Sequence, residues 1–184
     1  VSPGFFLRTV DLPEGALSGD GPFAALTLQS TAASGEAVIP TAIEQFDLQP
    51  RGTMMWGLDA GWHEAEYTPA LGMWHWTSER ASLRVIGATT AVHVDFRIES
   101  PLTYFDVPSQ VKALAGSREV ATSTVGAGER WSFDVPLDAI EAAGGIITIE
   151  TAQTFVPAER GGGADRRRLG LRLFDISIDP VGLR

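Results

Sequence analysis

The sequence predicts an all-β fold, an antiparallel β-sandwich of jelly-roll-like type with one short helix near residues 137–143. Three observations carry this prediction. Apolar and polar residues alternate along several short segments, Gly and Pro separate these segments at near-regular intervals, and only one segment has clear helix boundaries. At 184 residues the chain suits a single domain, and we expect residues 1–184 to form one.

The clearest strands are those with strict alternation. Residues 92–99 place four apolar side chains on one face and four polar side chains on the other, which is typical of a half-buried antiparallel strand. Residues 131–135 follow the same pattern. The segments 81–85 and 145–150 are predicted as further strands of the same fold.

The last predicted strand contains a change of phase. Apolar residues alternate over 169–173 and again over 174–178, but the second set is one residue out of step with the first. A slip of one residue turns side chains to the opposite face of a sheet, so we expect a β-bulge near Leu173 and Phe174.

The helix is predicted over 137–143 because Pro136 suits a first turn and Gly144 and Gly145 form a stop signal. Residues 1–50 contain no linker-like composition, and we expect them to supply strands and loops of the same domain.

Composition narrows the classes of partner. The net charge of −9 argues against nucleic acid or an anionic lipid surface, since both are bound by basic faces. The chain contains no cysteine, which excludes disulfides and thiol catalysis. No run approaches the ~18 apolar residues of a membrane helix, so we predict no direct membrane insertion. Because the chain starts at Val1 without a leader pattern, we expect it to be a piece of a longer protein.

Four of the five tryptophans and two of the three histidines lie between Trp56 and Trp76. The segment is open to three interpretations: a core wall, a platform on which sugar rings stack, or a protein interface with aromatic anchors. The core interpretation follows from alternation, which puts Trp74 and Trp76 on one face of a strand. The candidate ligand- or partner-binding residues are Trp62, His63, Glu66, Tyr67, Trp74, Trp76 and Arg80.

Two chemical alternatives fall in the same segment. His63 and Glu66 with His75 have side chains that suit zinc, and Asp59, Glu64 and Glu66 are carboxylates of the kind that glycoside hydrolases use in pairs. The sequence contains no supporting second shell and cannot define the distance between the carboxylates. We therefore predict no catalytic residue, no metal site and no cofactor.

A second cluster follows the Gly-rich loop at 161–164. Its arginines have the chemistry of an anion clamp, but local ion pairs that fix the loop are the favoured interpretation. The three arginines are predicted to enter a strand, so that Arg167 lies on the core-side face and Arg166 and Arg168 face outward. Asp165, Glu159 and Glu66 are then the candidate partners of Arg167. The predicted structural ion-pair cluster is Glu159, Asp165, Arg166, Arg167 and Arg168.

Several motifs occur in a fixed order over residues 44–178. They are Glu44-Gln45-Phe46-Asp47, Gly61-Trp62-His63-x-x-Glu66, Trp74-x-Trp76-Thr77-Ser78-Glu79-Arg80-Ala81, Glu99-Ser100-Pro101-Leu102-x-Tyr104-Phe105-Asp106, and Phe155-Val156-Pro157-Ala158-Glu159 with Asp165-Arg166-Arg167-Arg168-Leu169-Gly170. As an ensemble they resemble the β-sandwich domain appended to bacterial membrane glycosyltransferases of the dolichyl-phosphate-mannose mannosyltransferase type. The resemblance implies a non-catalytic, extracytoplasmic (periplasmic) module, because the transferase chemistry of that family lies in a separate membrane part.

We therefore predict a non-catalytic cell-envelope module that binds carbohydrate or a partner protein through the surface formed by residues 56–80. The expected partners are a glycan or an envelope or membrane protein. The first alternative is a structural subunit docked on the extracytoplasmic face of a membrane complex, and the second is a glycoside hydrolase.

Overall fold

The computed structural model describes residues 5–15, 27, 43, 46–161 and 163–182. The chain divides into two compact units. The first, here called the sandwich unit, comprises Val1–Leu7 with Pro50–Arg184, and the second comprises Arg8–Gln49. The described residues of the second unit lie in no helix or strand. Most of the predicted strands of residues 1–50 fall outside the described residues, and the single domain stays a prediction.

The sandwich unit contains ten strands among its described residues. They are β1 (Met55–Leu58), β2 (Glu66–Thr68), β3 (Gly72–Trp76), β4 (Arg80–Ile86), β5 (Val92–Glu99), β6 (Ser109–Ala115), β7 (Arg118–Val125), β8 (Glu129–Val135), β9 (Ile146–Thr151) and β10 (Arg172–Pro180). The helix α1 spans Leu137–Ala142, and a short 3-10 helix spans Pro157–Arg160.

These strands form two five-stranded sheets and confirm the predicted antiparallel sandwich. The first sheet has the order β1-β4-β9-β6-β7 and the second has the order β2-β3-β10-β5-β8. Only the connections β2–β3 and β6–β7 are hairpins within a sheet, so the chain passes repeatedly from one sheet to the other. Every pairing between these strands is antiparallel.

The main core lies between the two sheets, where alternation places the apolar side chains. Strand β5 coincides with the predicted segment 92–99, and its four apolar residues are fully buried. Leu83 from β4, Ile147 from β9 and Leu173 from β10 complete the same layer. Burying side chains of this size contributes roughly 1.5–3 kcal/mol each, which makes this layer the main source of stability.

The expected bulge is present close to its predicted place. The register between β10 and β5 shifts between Phe174 and Ser177, and Asp175 has a left-handed φ of 50°. The shift lets both Leu173 and Ile178 face the core despite their odd spacing. The predicted strand nevertheless begins too early, because Leu169 forms only a single bridge, to Phe155.

A second apolar cluster covers the outer face of the second sheet. Trp74, Trp76 and Phe174 rise from β3 and β10 on that face. They are covered by Phe105 and by the segment 155–169, here called the covering hairpin, whose ends are joined by the bridge between residues 155 and 169. Both sides of the second sheet are therefore buried at its centre.

The predicted helix is confirmed, and it ends one residue before the predicted boundary at Ala143. No helix in the described part of the chain is long and apolar enough to cross a membrane.

Candidate functional site

The three central tryptophans are buried. Trp62, Trp74 and Trp76 are 4%, 6% and 8% exposed. The indole N–H of Trp62 donates to the Ser82 carbonyl at 2.6 Å, and that of Trp76 donates to Glu66 Oε2 at 3.3 Å. Their burial corresponds to the core interpretation, because sugar stacking needs an exposed ring face that these side chains do not present.

Cations stack on the aromatic rings of the outer face. The Arg172 guanidinium carbon lies 5.6 Å from the centre of the Trp74 ring and 5.4 Å from that of Trp76, and the side chain is paired with Glu99. Arg97 lies over Phe174 at 3.6 Å. These cation–π contacts stabilise the outer cluster and join β3, β10 and β5.

The covering hairpin is tied to β2 by one arginine. Arg167 Nη2 lies 2.7 Å from Glu66 Oε1 and 2.7 Å from Asp165 Oδ2. The hydrogen bond from Arg167 lowers the pKa of Asp165, and the two carboxylates raise the pKa of Arg167. Two of the three predicted partners, Glu66 and Asp165, are therefore in contact with Arg167. Glu66 is 101 residues away from Arg167 in the sequence.

The ion-pair cluster is smaller than the predicted set. Glu159, Arg166 and Arg168 are exposed and belong to none of the ion pairs formed among the described residues. The prediction that residues 166–168 enter a strand is wrong, because 165–168 lie in no strand and the Arg167 N–H donates to Asp165 Oδ1 at 2.9 Å in a turn-type contact. Arg166 and Arg168 are nevertheless exposed and Arg167 is partly buried. Arg167 is also 35% exposed, so it lies at an edge of the core-side face and not within it.

His63 holds the same hairpin by its ring. Its Nε2 lies 3.2 Å from the Arg168 carbonyl and 3.3 Å from Ser78 Oγ. A carbonyl only accepts, so Nε2 carries the proton and donates it, and it cannot serve as a base toward Ser78. Burial lowers the pKa of His63, which favours its neutral form. His75 Nδ1 donates to the His63 carbonyl at 3.0 Å, so each of the two histidine rings is hydrogen-bonded to a backbone carbonyl.

The residues considered for a zinc site and those considered for a pair of hydrolase carboxylates do not come together in one place. Within the described ranges there is no group of three or more His, Asp or Glu side chains that could hold a metal ion. Asp59 pairs with Arg84 at 2.6 Å beside the first sheet, whereas Glu66 is bound to Arg167 on the second sheet. Glu64 is exposed in the loop before β2.

The exposed apolar residues of this region lie on the β2–β3 hairpin. Tyr67 and Met73 are direct cross-strand partners and are 69% and 60% exposed. Leu71, in the turn between them, is also exposed. We call Tyr67, Leu71 and Met73 the hairpin patch. Arg80 is exposed as well, but it pairs with Glu150 on the first sheet and is not part of this patch.

The candidate binding residues predicted from the sequence therefore do not form one continuous site. Alternation along β3 puts Trp74 and Trp76 on one face, but it does not point to Leu71 or Met73 as binding residues. Met73 could have been found from the same alternation, because it lies on the face of β3 opposite Trp74 and Trp76 and pairs with Tyr67. Leu71 lies in the turn just before this strand.

Replacing Arg167 with Ala is expected to lower the free energy of unfolding by about 1–2 kcal/mol, because two carboxylates lose their partner at a partly exposed site. Arg166→Ala and Arg168→Ala are expected to change it by less than about 0.5 kcal/mol, since both side chains are exposed. Urea unfolding of the three variants checks this order, and equal small effects from all three would contradict it.

The lowered pKa of His63 predicts a pH dependence. The unfolded chain binds more protons than the folded chain between the folded pKa and the ordinary value of 6.5, so stability falls as pH drops through that window. His63→Gln keeps an N–H donor without this titration. Its melting temperature is expected to change less than that of the wild type between pH 7 and pH 5, and an unchanged slope would show that His63 is not responsible.

Together, fold and site define a β-sandwich with a closed aromatic cluster on one outer face and an exposed apolar hairpin at the edge of the same sheet. No protein-family model matches the chain, and no curated protein matches it either. The resemblance to the domain appended to membrane glycosyltransferases therefore stays a prediction.

Proposed function

We propose that this chain is a non-catalytic binding module that docks on a partner protein through the hairpin patch. The observation that carries the proposal is the exposure of Tyr67 and Met73, two large side chains paired across β2 and β3. Large apolar side chains that cluster on a surface mark interaction sites far more often than isolated ones do.

The position of the patch supports docking. Along β3, Met73 lies on the same face as His75, which is the direct neighbour of the core residue Leu173. The core-facing side of the second sheet thus continues outward into an exposed apolar surface. A partner that covers Tyr67 and Met73 would extend the packing of that face by one further layer.

The chemistry of the patch fits protein better than sugar. Tyr and Met are enriched at protein interfaces, and Tyr buries a large area at small conformational cost. Tyr67 is the exposed aromatic ring of this hairpin, and the adjacent tryptophans are turned into the outer cluster. A carbohydrate ligand would therefore rest on one ring, whereas a protein partner would bury all three side chains of the patch.

The resemblance to the domain appended to membrane glycosyltransferases suggests where this interaction takes place. It points to a bacterial cell envelope, outside the cytoplasm, with a membrane protein complex as the partner. Under this proposal the chain is a scaffolding or accessory module, and the transfer or hydrolysis of sugars is carried out elsewhere.

Quantitative co-purification from the native source tests the proposal. The tagged wild type is compared with Tyr67→Ser/Met73→Ser and with the control Val107→Ser, which changes another exposed apolar residue. We expect a discrete protein that is retained by the wild type and the control and lost by the double variant. Retention by all three, or glycan binding that only the double variant loses, would contradict the proposal.

A further inference from the structure

The outer half of the β2–β3 hairpin extends beyond the rest of its sheet. Strand β10 pairs with β3 only at His75 and Trp76, and the β10 bulge follows directly after Phe174. Among the described strands, residues 67–73, which carry the hairpin patch, are therefore paired only with each other. A two-stranded hairpin without a further neighbour is marginally stable in water, so this surface needs another attachment to keep one conformation.

Arg97 of β5 supplies this attachment. Its Nη2 donates to the carbonyl of Leu71, in the turn of the hairpin, at 3.2 Å. Because β10 lies between β3 and β5 in the sheet, the Arg97 side chain passes over β10 to reach the turn. Within the described part of the chain, no other side chain from outside the hairpin hydrogen-bonds to residues 67–73.

Two further contacts fix the Arg97 guanidinium in this position. Its carbon lies 3.6 Å from the centre of the Phe174 ring, and its Nε lies 3.7 Å from Asp175 Oδ2. Phe174 is fully buried in the outer cluster, so the guanidinium rests on a closely packed surface. The planar fork of arginine stacks on a ring and directs its N–H groups to separate acceptors at the same time, whereas a lysine ammonium is a point charge.

We propose that Arg97 is the positioning residue of the hairpin patch and holds the turn at Leu71 in the conformation that binds the partner. The inference rests on the proposed function, because it takes the patch as the docking surface. Arg97 lies on the outer face of the sheet, whereas Tyr67 and Met73 lie on the core-facing side, so it acts through the hairpin backbone. A surface that is ordered before binding loses less conformational entropy when the partner binds, which raises its affinity.

Hydrogen exchange of the purified full chain, followed by mass spectrometry, tests the positioning without any partner. Arg97→Gln shortens the side chain so that it no longer spans β10. Arg118→Gln is a control that removes another arginine bonded to a carboxylate, and Ile147→Val is a control that lowers overall stability from the core of the first sheet. We expect peptides that cover residues 67–73 to exchange about tenfold faster in Arg97→Gln alone, with the first sheet unchanged.

Two patterns of exchange would overturn the inference. The first is an unchanged rate at residues 67–73 in Arg97→Gln, or complete exchange of this segment already in the wild type. The second is faster exchange throughout the chain, of the kind expected for Ile147→Val, because it would reduce Arg97 to a general contribution to stability.

Co-purification with extract of the native source measures the effect on docking. Increasing amounts of extract are added to the immobilised wild type, to the same three variants and to Tyr67→Ser/Met73→Ser. We expect half-maximal retention of the partner to require about tenfold more extract for Arg97→Gln than for the wild type. The controls Arg118→Gln and Ile147→Val are expected to match the wild type.

Failure of this inference and failure of the proposed function give different results. Retention that Tyr67→Ser/Met73→Ser abolishes but Arg97→Gln leaves unchanged would overturn the inference and leave the proposed function intact. An equal shift for Ile147→Val would also overturn the inference, because overall stability would then account for the loss. Retention of no protein by the wild type would overturn the proposed function and this inference with it.

Discussion

Trp76→Ala is expected to lower the free energy of unfolding by about 3–5 kcal/mol, the range for removing a large aromatic side chain from a core. Trp76 is buried, packs edge-on against Phe155 with ring centres 5.7 Å apart, and lies against the Arg172 guanidinium. The substitution also leaves Glu66 without its indole donor. Urea unfolding followed by far-UV circular dichroism measures the change.

Tyr67→Ala is the matched control from the same hairpin. Tyr67 is exposed, so its removal is expected to change stability by less than about 0.5 kcal/mol. A Trp76→Ala protein as stable as the wild type would contradict the burial of this ring and restore the interpretation of a stacking platform.

Gly61→Ala is the second substitution with a large expected effect. Gly61 has a φ of 89°, and an added Cβ would lie 1.9 Å from the Arg80 carbonyl oxygen. Placing a side chain on a left-handed backbone lowers the free energy of unfolding by about 1–2 kcal/mol. The clash of the new Cβ with the Arg80 backbone lowers it by about 1–3 kcal/mol more. We expect a loss of about 3 kcal/mol, because the Gly61 carbonyl also accepts from Ser78 N–H at 2.7 Å and cannot move freely.

Gly72 separates the two contributions. It has a φ of 79°, but an added Cβ would meet nothing within 4 Å. Gly72→Ala is therefore expected to lose only the backbone part, about 1–2 kcal/mol. Chemical unfolding of both variants measures the difference between their free energies of unfolding. Equal losses would show that the close approach of Gly61 to β4 does not contribute to the effect of Gly61→Ala.

The strands that the sequence predicts best are those with one buried face. Strand β5 alternates without interruption because its inner side chains are all apolar and its outer ones are all polar. The sequence pattern does not predict strands β6 and β7, because the small Ala113 and Ala115 give β6 a weak apolar phase and β7 is mostly polar. Their pairing within the first sheet makes them strands regardless of their weak pattern.

The candidate site shows a different limit. Alternation correctly puts Trp74 and Trp76 on one face, but it cannot reveal whether that face is covered. The cover comes from Phe105, Phe155 and Leu169, which are distant in sequence. The partners of Arg167 were partly predictable, since direction along an extended segment limits the candidates, but the choice of Glu66 depends on how β2 and the covering hairpin meet.

Site-specific photo-crosslinking in the native source tests the docking surface most directly. A photoreactive residue is placed at position 73, within the hairpin patch, or at position 107, an exposed apolar position outside it. The account predicts a discrete protein adduct from position 73 and none from position 107. Absence of an adduct from position 73, or the same adduct from both positions, would contradict it.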